Sequence, residues 1–583
     1  MYYSAVIVSS FVVLTTATYL PTEECPILGP TFPSNFDITN ASAFQDAVSS
    51  FPSLVEELFS SGVIDPNTST FIADVFSTHS NGSIYTYIHR SPALDEALTA
   101  GTLDDRTVFR IGSVSKMMTV YSLLVQTGGL EVFNDPVTKW LPELVGNRGG
   151  ALEKIVWEDV TVGALASQMG GTGSFPFESF CLDAPDQQCT DAEYFASLRD
   201  HKRPVFAPFH TSLYSDNGFG ILGRVLERMT GMKYNDAIQH VLGGQLNLGS
   251  FTSFAPGGDG LNAFKLPGNG TVSSWGMDPQ TQAPYVFSPL SHMHYLTSSS
   301  SGGVYTSTAD LRTIGLSILN SRLLSPADTR EWMKPRAHTS TLVFSNGAPW
   351  EIYRLALPVT PNSSRTRISD LYTKLGGNNG YTTVFALSPD HGIGYSILIG
   401  GPSASTDRFP LRDLVGETFI TAAEHAGVEH GAKSIAGTYV SQNSSGTNLT
   451  FTVDADRPGL GLQHLYFEGV ESRASLIQIG LEDEIPQENL TVRLYPMGLR
   501  SPGPSNSTFG PRTEYLAFRA APQITPINPR TSSEGGVGMF DNSCFVTWSS
   551  VDFNVPDEFV LEFLAGRVQR VYNPLAQIWM SRV

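Results

Sequence analysis

Apolar positions along this chain recur first at helical spacing and then at strand spacing. After an apolar opening from Ala5 to Leu14, FQDAVSSFPSLVEELFSSG predicts a helix that Pro52 should interrupt. TFIADVFSTHSNGSIYTYIHRS alternates on either side of Asn81-Gly82, a strong local sign of a two-stranded hairpin. TVFRIGSVSKMMTVYSLLVQTG, residues 107–128, predicts a long helix ending near Gly128. LEVFNDPVTKWLPEL reads as a turn with a short helix, and VTVGALASQMGG as another short helix closed by glycines. Residues 171–210, rich in Gly, Pro and aromatics, read as an inserted loop. GFGILGRVLERMTG is an amphipathic helix closed by Gly231, and SGGVYTSTADLRTIGLSIL turns into a helix with Ser307 or Thr308 as N-cap. LYTKLGGNNGYTTVFALSPDHGIGYSILIGG predicts three strands joined by tight turns.

From Gly437 the texture changes to alternation rich in Gly, Pro and Asn, with no lysine after Lys433. At 583 residues the chain exceeds one ordinary core. The division read from it is a leader over 1–18, a linker over 19–45, a mixed α and β domain over 46–433, and a separate β-rich domain over 434–583.

Composition narrows the class. With 41% hydrophobic and 16% charged residues the chain is a folded globular protein, not a disordered one. A net charge of −19 argues against nucleic acid, which calls for clustered Lys and Arg. The apolar opening is too short to span a bilayer and is followed by small residues near Ala17, as in a secretory signal peptide, although no Lys or Arg precedes it. No later segment predicts a membrane helix.

Nine asparagines sit in N-x-[ST] sequons, more than the roughly four expected by chance. They are Asn40, Asn67, Asn81, Asn269, Asn362, Asn443, Asn448, Asn489 and Asn506. Four cysteines suit an oxidising compartment: Cys181 and Cys189 can close one loop, leaving Cys25 and Cys544 as the other pair. Secretion, glycosylation and disulfides are therefore expected together.

The candidate chemistry lies in residues 107–128. Ser113 and Lys116, at i and i+3, share a helix face with ~4.5 Å of rise between them, whereas Ser115 points elsewhere. With nine lysines and many serines, about one Ser-x-x-Lys arises by chance, so the spacing alone decides nothing. A serine at a first helical turn also sits in the positive end of the helix dipole, which favours an alkoxide. Lys374 in YTKLGG offers a second cation at a strand end, and its glycines allow close backbone approach. The amides of Ser113 and Gly377 can then form an oxyanion hole. In LYSDNGFGILG, Tyr214 or Ser215 can carry a proton between Ser113, Lys116 and a leaving group.

Ser113-x-x-Lys116, Tyr214-Ser215-Asp216 and Lys374-Leu375-Gly376, in that order, resemble the serine β-lactamase and DD-peptidase superfamily. The likeness is to class C β-lactamases, β-lactamase-like esterases and secreted fungal β-lactamase-like proteins. FRIGSVSK, NDPVTKWLPEL, VTVGALASQMGG, GGVYTSTADL and GGNNGY support it, over about residues 50–430. The resemblance implies an α+β fold of the β-lactamase/transpeptidase type: an antiparallel sheet flanked by helices, plus a helical subdomain. It makes 46–433 the catalytic domain.

The middle motif reads in two registers. Ser215-Asp216-Asn217 matches class A β-lactamases, and Tyr214-x-Asp216 matches the class C Tyr-x-Asn. FGILG downstream, and the lack of any glutamate between Glu227 and Glu331 for a class A deacylating role, favour Tyr214. Two departures bear on substrate. Asp216 replaces the family's Asn with an acceptor-only anion, and Leu375 replaces a Thr whose hydroxyl the family uses on substrate carboxylates.

The implied site is catalytic Ser113, Lys116, Tyr214 and Lys374, an oxyanion hole at Ser113 and Gly377, and substrate contacts at Asp216, Leu375 and Gly376, with positioning of Lys116 as the alternative role for Asp216. The implied activity is a secreted serine hydrolase acting on a small-molecule ester or amide, uncharged and with an apolar acyl group. The alternatives are acyl transfer through the same acyl-serine, or a binding module with a dead site. No metal or organic cofactor is expected.

Other residues are weighed and set lower. No G-x-S-x-G elbow occurs for a Ser-His-Asp hydrolase. His391 reads as a turn residue, His210 as pocket lining, and His292 and His294 as incidental. Trp350, Tyr353 and Tyr381 read as core packing before acyl-pocket walls.

Overall fold

The computed structural model describes residues 26–583 apart from 148, 151, 174–189, 259, 268–274, 276–298, 379, 477–489, 505–508, 510–512 and 525–554. The leader 1–18, all four cysteines, Asn269, Asn489, Asn506, His292 and His294 lie outside the described residues. Asn40, Asn67, Asn81, Asn362 and Asn443 are exposed and Asn448 is half-buried. No helix among the described residues is long and apolar enough to cross a membrane. The chain forms two compact units, one of residues 33–357 and 368–427, the other of residues up to 32, 358–367 and 428–583.

In the first unit, β1 (Thr70–Ser77) and β2 (Gly82–His89) form the hairpin that Asn81-Gly82 predicts, with Asn81 at φ +49°. The two-residue strands β3 (Phe109–Arg110) and β4 (Tyr305–Thr306) pair with each other apart from the main sheet. They are followed by β5 (Ala337–His338), β6 (Phe344–Asn346), β7 (Glu351–Pro358), β8 (Thr366–Asn378), β9 (Tyr381–Ser388) and β10 (Ile393–Gly400). The sheet runs β2-β1-β10-β9-β8-β7-β6-β5, so the first strands of the chain pair with the last, Thr70 opposite Gly400.

Both faces of this sheet are covered, which is why β1 is buried at every position although its hairpin partner β2 alternates. On one face Phe71, Val75, Ile397 and Ile399 pack with α1 (Ser42–Ser60) and with Phe419 and Ile420 of α5 (Ala404–Ser434). On the other, Ile72, Phe76, Phe385 and Leu398 pack with α2 (Ser115–Thr127), α3 (Asp216–Thr230) and α4 (Thr308–Leu319). Gly128 and Gly231 close α2 and α3 in the left-handed conformation, and Ser307 caps α4 by accepting from Asp310 N–H.

Three sequence expectations are corrected, and one helix has no counterpart in the sequence reading. The helix expected over 107–128 begins only at Ser115, because Phe109–Arg110 pairs as a strand with Tyr305–Thr306 and Gly112 turns the chain at φ +51°. Pro52 does not interrupt α1: the helix continues past it with the proline ring on the exposed side. Residues 171–210 are not all loop, because Asp191–Asp200 is a helix with buried Phe195 and Leu198. Thr190 and Glu193 start it with a reciprocal capping box, a signal the sequence does contain. Helix α5, with Pro410 near its start and mixed polarity around its circumference, has no clear apolar stripe to announce it.

The second unit is a β-barrel. Its strands are β11 (Gly437–Val440), β12 (Asn448–Thr452), β13 (Leu460–Phe467), β14 (Val470–Glu471), β15 (Leu490–Pro502), β16 (Thr513–Ile524), β17 (Glu558–Leu564), β18 (Arg567–Asn573) and β19 (Ile578–Arg582). The order β12-β11-β19-β18-β17-β16-β15-β13, with β13 pairing back onto β12, closes the ring, and β14 adds to β13. Closure leaves no open edge among these eight strands. Tyr439, Phe451, Leu462, Leu494, Phe518, Phe559 and Leu561 fill the interior.

Candidate active site

Ser113 sits in a single 3-10 turn, Gly112–Val114, between β3 and α2. The turn is held from outside: Ile111 N–H donates to Val304 O at 3.1 Å, and the Ser115 hydroxyl accepts from Val304 N–H at 3.0 Å while donating to Gly112 O at 2.7 Å. Ser115 is thus buried as a clamp on the turn, and Ser113, only partly buried, is the serine presented outward.

Lys116 follows on the first turn of α2 with its side chain fully buried. Its Nζ lies 3.1 Å from Ser113 Oγ, 2.5 Å from Asp216 Oδ1 and 2.7 Å from Ser301 O. Three acceptors match the three N–H groups of an ammonium. Asp216 occupies the first helical position of α3, where the helix dipole favours its carboxylate.

Tyr214 and Ser215 are separated by the capping of α3. Ser215 is buried: its Oγ accepts from Gly218 N–H at 2.9 Å, bonds Thr172 Oγ1 and Gly173 O, and its N–H donates to Gln168 Oε1. Tyr214, 39% exposed, puts its ring 4.8 Å from Lys116 Nζ and 5.4 Å from Lys374 Nζ, so both ammonium groups lie against one aromatic ring. Tyr214→Phe should therefore lower turnover by about a hundredfold or more, the lower range for loss of a positioned proton carrier. Ser215→Ala should cost about 1 kcal/mol of stability as a lost cap and keep most turnover. Initial rates and thermal melts of both variants check this, and full activity in Tyr214→Phe would move the role to Ser215.

Lys374 projects from β8 and is fully enclosed. It donates to Glu351 Oε1 at 2.5 Å and to Leu375 O at 2.8 Å, while the other oxygen of Glu351 accepts Leu375 N–H at 2.9 Å. Burial pulls Lys374 down from the ordinary lysine range, but the Glu351 carboxylate, with Tyr214 and Asp216, outweighs it and the net shift is upward. Glu351 is the site residue that sequence reading missed. It is distant in sequence, and only the β7–β8 neighbourhood makes it a partner of Lys374.

A lysine raised on folding adds stability that is whole below its unfolded value, near ~10.4, and is lost as pH climbs through the folded one. Glu351→Gln leaves burial with less opposition, so the variant should lose stability at lower pH than wild type. Urea midpoints from about pH 8 to about pH 11 measure it, and parallel curves would contradict the assignment.

The strand and the nucleophile turn touch through glycines. A Cβ on Gly112, which has φ +51°, would lie 2.5 Å from Gly377 N. A Cβ on Gly376 would collide with Ile111 O and lie 3.2 Å from Ser113 N. This contact sets the Gly112-Ser113 turn directly against the Gly376-Gly377 end of β8, the two segments that carry the amides expected to form the oxyanion hole. Arg408, on α5, donates to Gly376 O at 3.0 Å. Burial lowers it from the usual arginine range, Glu351 opposes that and the nearby Arg412 adds to it.

The remaining candidates separate from the site. Leu375, expected at the substrate, packs its side chain against the α1/α5 core, since successive strand residues face opposite ways. His210, expected to line the pocket, is exposed and stacks on Phe206. His391 lies in the β9–β10 turn, buried between Ser388 Oγ at 2.6 Å and Glu424 Oε2 at 2.7 Å. Trp350 and Tyr381 are core residues, and Tyr353 lies between Phe344 and Arg412. No three His, Cys, Asp or Glu side chains gather as a metal-ligand set among the described residues.

A family model described as Beta-lactamase matches residues 82–418, which contain every motif above. The chain belongs to the β-lactamase family. A second model, described as Beta-lactamase-like-like, C-terminal domain, matches residues 428–583, which contain the barrel. The Beta-lactamase-like protein of Arthroderma benhamiae is 26% identical over 543 residues, 85% of this chain and 84% of that one. Probable hydrolase M10 of Phoma sp. is 25% identical over 67% of this chain and 65% of its own length. A crystal structure of a class C beta lactamase from Rhodobacter sphaeroides aligns over 66% of this chain and 98% of its own, with 20% identity and a TM-score of 0.45. With its family motifs in place, the protein is a serine hydrolase of the β-lactamase-like type.

Proposed function

We propose that this hydrolase is exported and cleaves an ester or amide of a small molecule through an acyl-Ser113 intermediate. The observation that carries the reading is Lys116 Nζ, 3.1 Å from Ser113 Oγ and held as well by Asp216 and Ser301 O. Ser113 Oγ attacks the carbonyl carbon, and the carbonyl oxygen takes up negative charge between the amides of Ser113 and Gly377. Once Lys116 has shed one of its three protons to solvent, its lone pair takes the Ser113 proton while Tyr214 gives its own to the departing oxygen or nitrogen and is reprotonated by Lys116, and the bond to the departing atom breaks. Water then attacks the acyl-enzyme, its proton returns along the same relay, and the acid leaves. Lys374, fixed by Glu351, keeps a positive charge against the Tyr214 ring throughout.

The names of relatives such as Probable hydrolase M10 support hydrolysis over a dead site. The apolar opening of the chain and its nine sequons support export. Release of nitrophenol from a short-chain nitrophenyl ester tests the reading. Sustained release that depends on Ser113 supports it. A one-equivalent burst that stalls would mean that water is a poor acceptor and that the acyl group is passed to an alcohol instead. No release at all would count against an ester substrate.

A further inference from the structure

Asp216 uses only half of its carboxylate on Lys116. Oδ1 takes the ammonium at 2.5 Å, and among the described residues Oδ2 has no hydrogen-bond partner. The side chain is 35% exposed while Lys116 is fully buried, so the free oxygen lies on the open side of the pair. Its position is fixed twice over: by the ion pair, and by the Ser215 cap that sets the first turn of α3. Only Lys116 stands between it and the nucleophile, so Asp216 is two hydrogen bonds from Ser113 Oγ. Tyr214, also partly exposed, has its ring 4.8 Å from the same Lys116 Nζ that Asp216 holds.

A carboxylate oxygen only accepts hydrogen bonds. When an acyl chain on Ser113 displaces water from this opening, Oδ2 loses its solvent partners and needs a donor in their place. An ether or carbonyl oxygen there would set lone pairs against lone pairs, and a hydrocarbon would leave the anion desolvated and unpaired. We propose that Asp216 selects substrates whose acyl chain carries a hydrogen-bond donor, a hydroxyl or amino group, close to the scissile carbonyl. This rests on the acyl-Ser113 reading above. It replaces the purely apolar acyl group expected from Leu375, whose side chain packs into the core. The acyl chain is the part concerned because it stays bound through both half-reactions.

Three 4-nitrophenyl esters with one leaving group separate the possibilities: 3-hydroxybutyrate, its apolar isostere 3-methylbutyrate, and 3-methoxybutyrate, which keeps the oxygen but cannot donate. Wild type should favour the hydroxy ester over each of the others by about tenfold or more in kcat/KM, the scale of a hydrogen bond to a charged acceptor. Asp216→Asn replaces an acceptor-only group with one that also donates, so the methoxy ester should gain relative to the hydroxy ester and the preference should collapse toward unity. Because the readout is a ratio within one enzyme, a general loss of rate in the variant does not disturb it.

Equal rates for the three esters in wild type would overturn the inference while leaving the hydrolase intact, provided release depends on Ser113. A preference that survives unchanged in Asp216→Asn would overturn it too, since another group would then be the selector. Absence of Ser113-dependent release from all three would count against the ester substrate of the acyl-Ser113 reading, and would overturn this inference with it.

Discussion

Ser113→Ala should reduce ester turnover by at least about a thousandfold, while Ser115→Ala should keep most activity per folded molecule and lose stability instead. The two serines are two residues apart and share one turn, yet they do opposite work. Ser113 Oγ faces Lys116 Nζ and the outside. Ser115 Oγ is enclosed, donating to Gly112 O and accepting from Val304 N–H. Removing the first hydroxyl removes the atom that forms the covalent bond. Removing the second leaves a buried N–H without its acceptor, about 1–3 kcal/mol. Initial rates, a thermal melt and the mass of trapped enzyme should report together. An acyl adduct is expected on wild type and on Ser115→Ala, and none on Ser113→Ala. Comparable rate losses in both variants, with Ser113→Ala fully folded, would mean that neither serine is the nucleophile.

The contrast also marks what the amino-acid sequence could reveal. Ser113, Lys116, Tyr214 and Lys374 were legible because helix spacing and short motifs are local, and because three motifs in order are far less accidental than one. Asp216 was legible as a departure, although its ion pair with Lys116 spans a hundred residues of chain and needed the fold. Glu351 was not legible. It gains its meaning from lying on β7 beside β8, and nothing in its own neighbourhood announces a partner for a buried lysine. Leu375 was misread because a motif places a residue along a strand but does not say which face it takes.

The same limits apply to the fold. The β1–β2 hairpin was readable from Asn81-Gly82, and the β-rich C-terminal part from its alternation. Pairing of β1 with β10, with Thr70 opposite Gly400, is a contact of high sequence separation that periodicity cannot supply. Helix α5 was missed for a different reason. It meets the sheet along one side and carries polar residues around the rest, so its apolar pattern is weak even though Phe419 and Ile420 are buried.

Gly376→Ala should be the most damaging change outside the nucleophile and its relay, lowering kcat by about a hundredfold or more and stability by about 1–3 kcal/mol. The added methyl would be driven into Ile111 O and would crowd Ser113 N at 3.2 Å. Neither side can yield cheaply. β8 is paired to β9 through Gly376 and Thr383, and the turn is anchored through Ile111 N–H to Val304 O. Strand and turn must separate, and with them the two amides that should hold the oxyanion. The loss should fall on kcat more than on KM, because those donors act most strongly when charge develops on the carbonyl oxygen. Gly377→Ala makes the comparison specific. Its Cβ would meet nothing nearer than Arg408 Nη1 at 3.4 Å, and the backbone N–H survives, so it should cost far less. If instead Gly376→Ala melts like wild type and turns over normally, the hole is not built by this glycine contact, and the oxyanion must be held elsewhere.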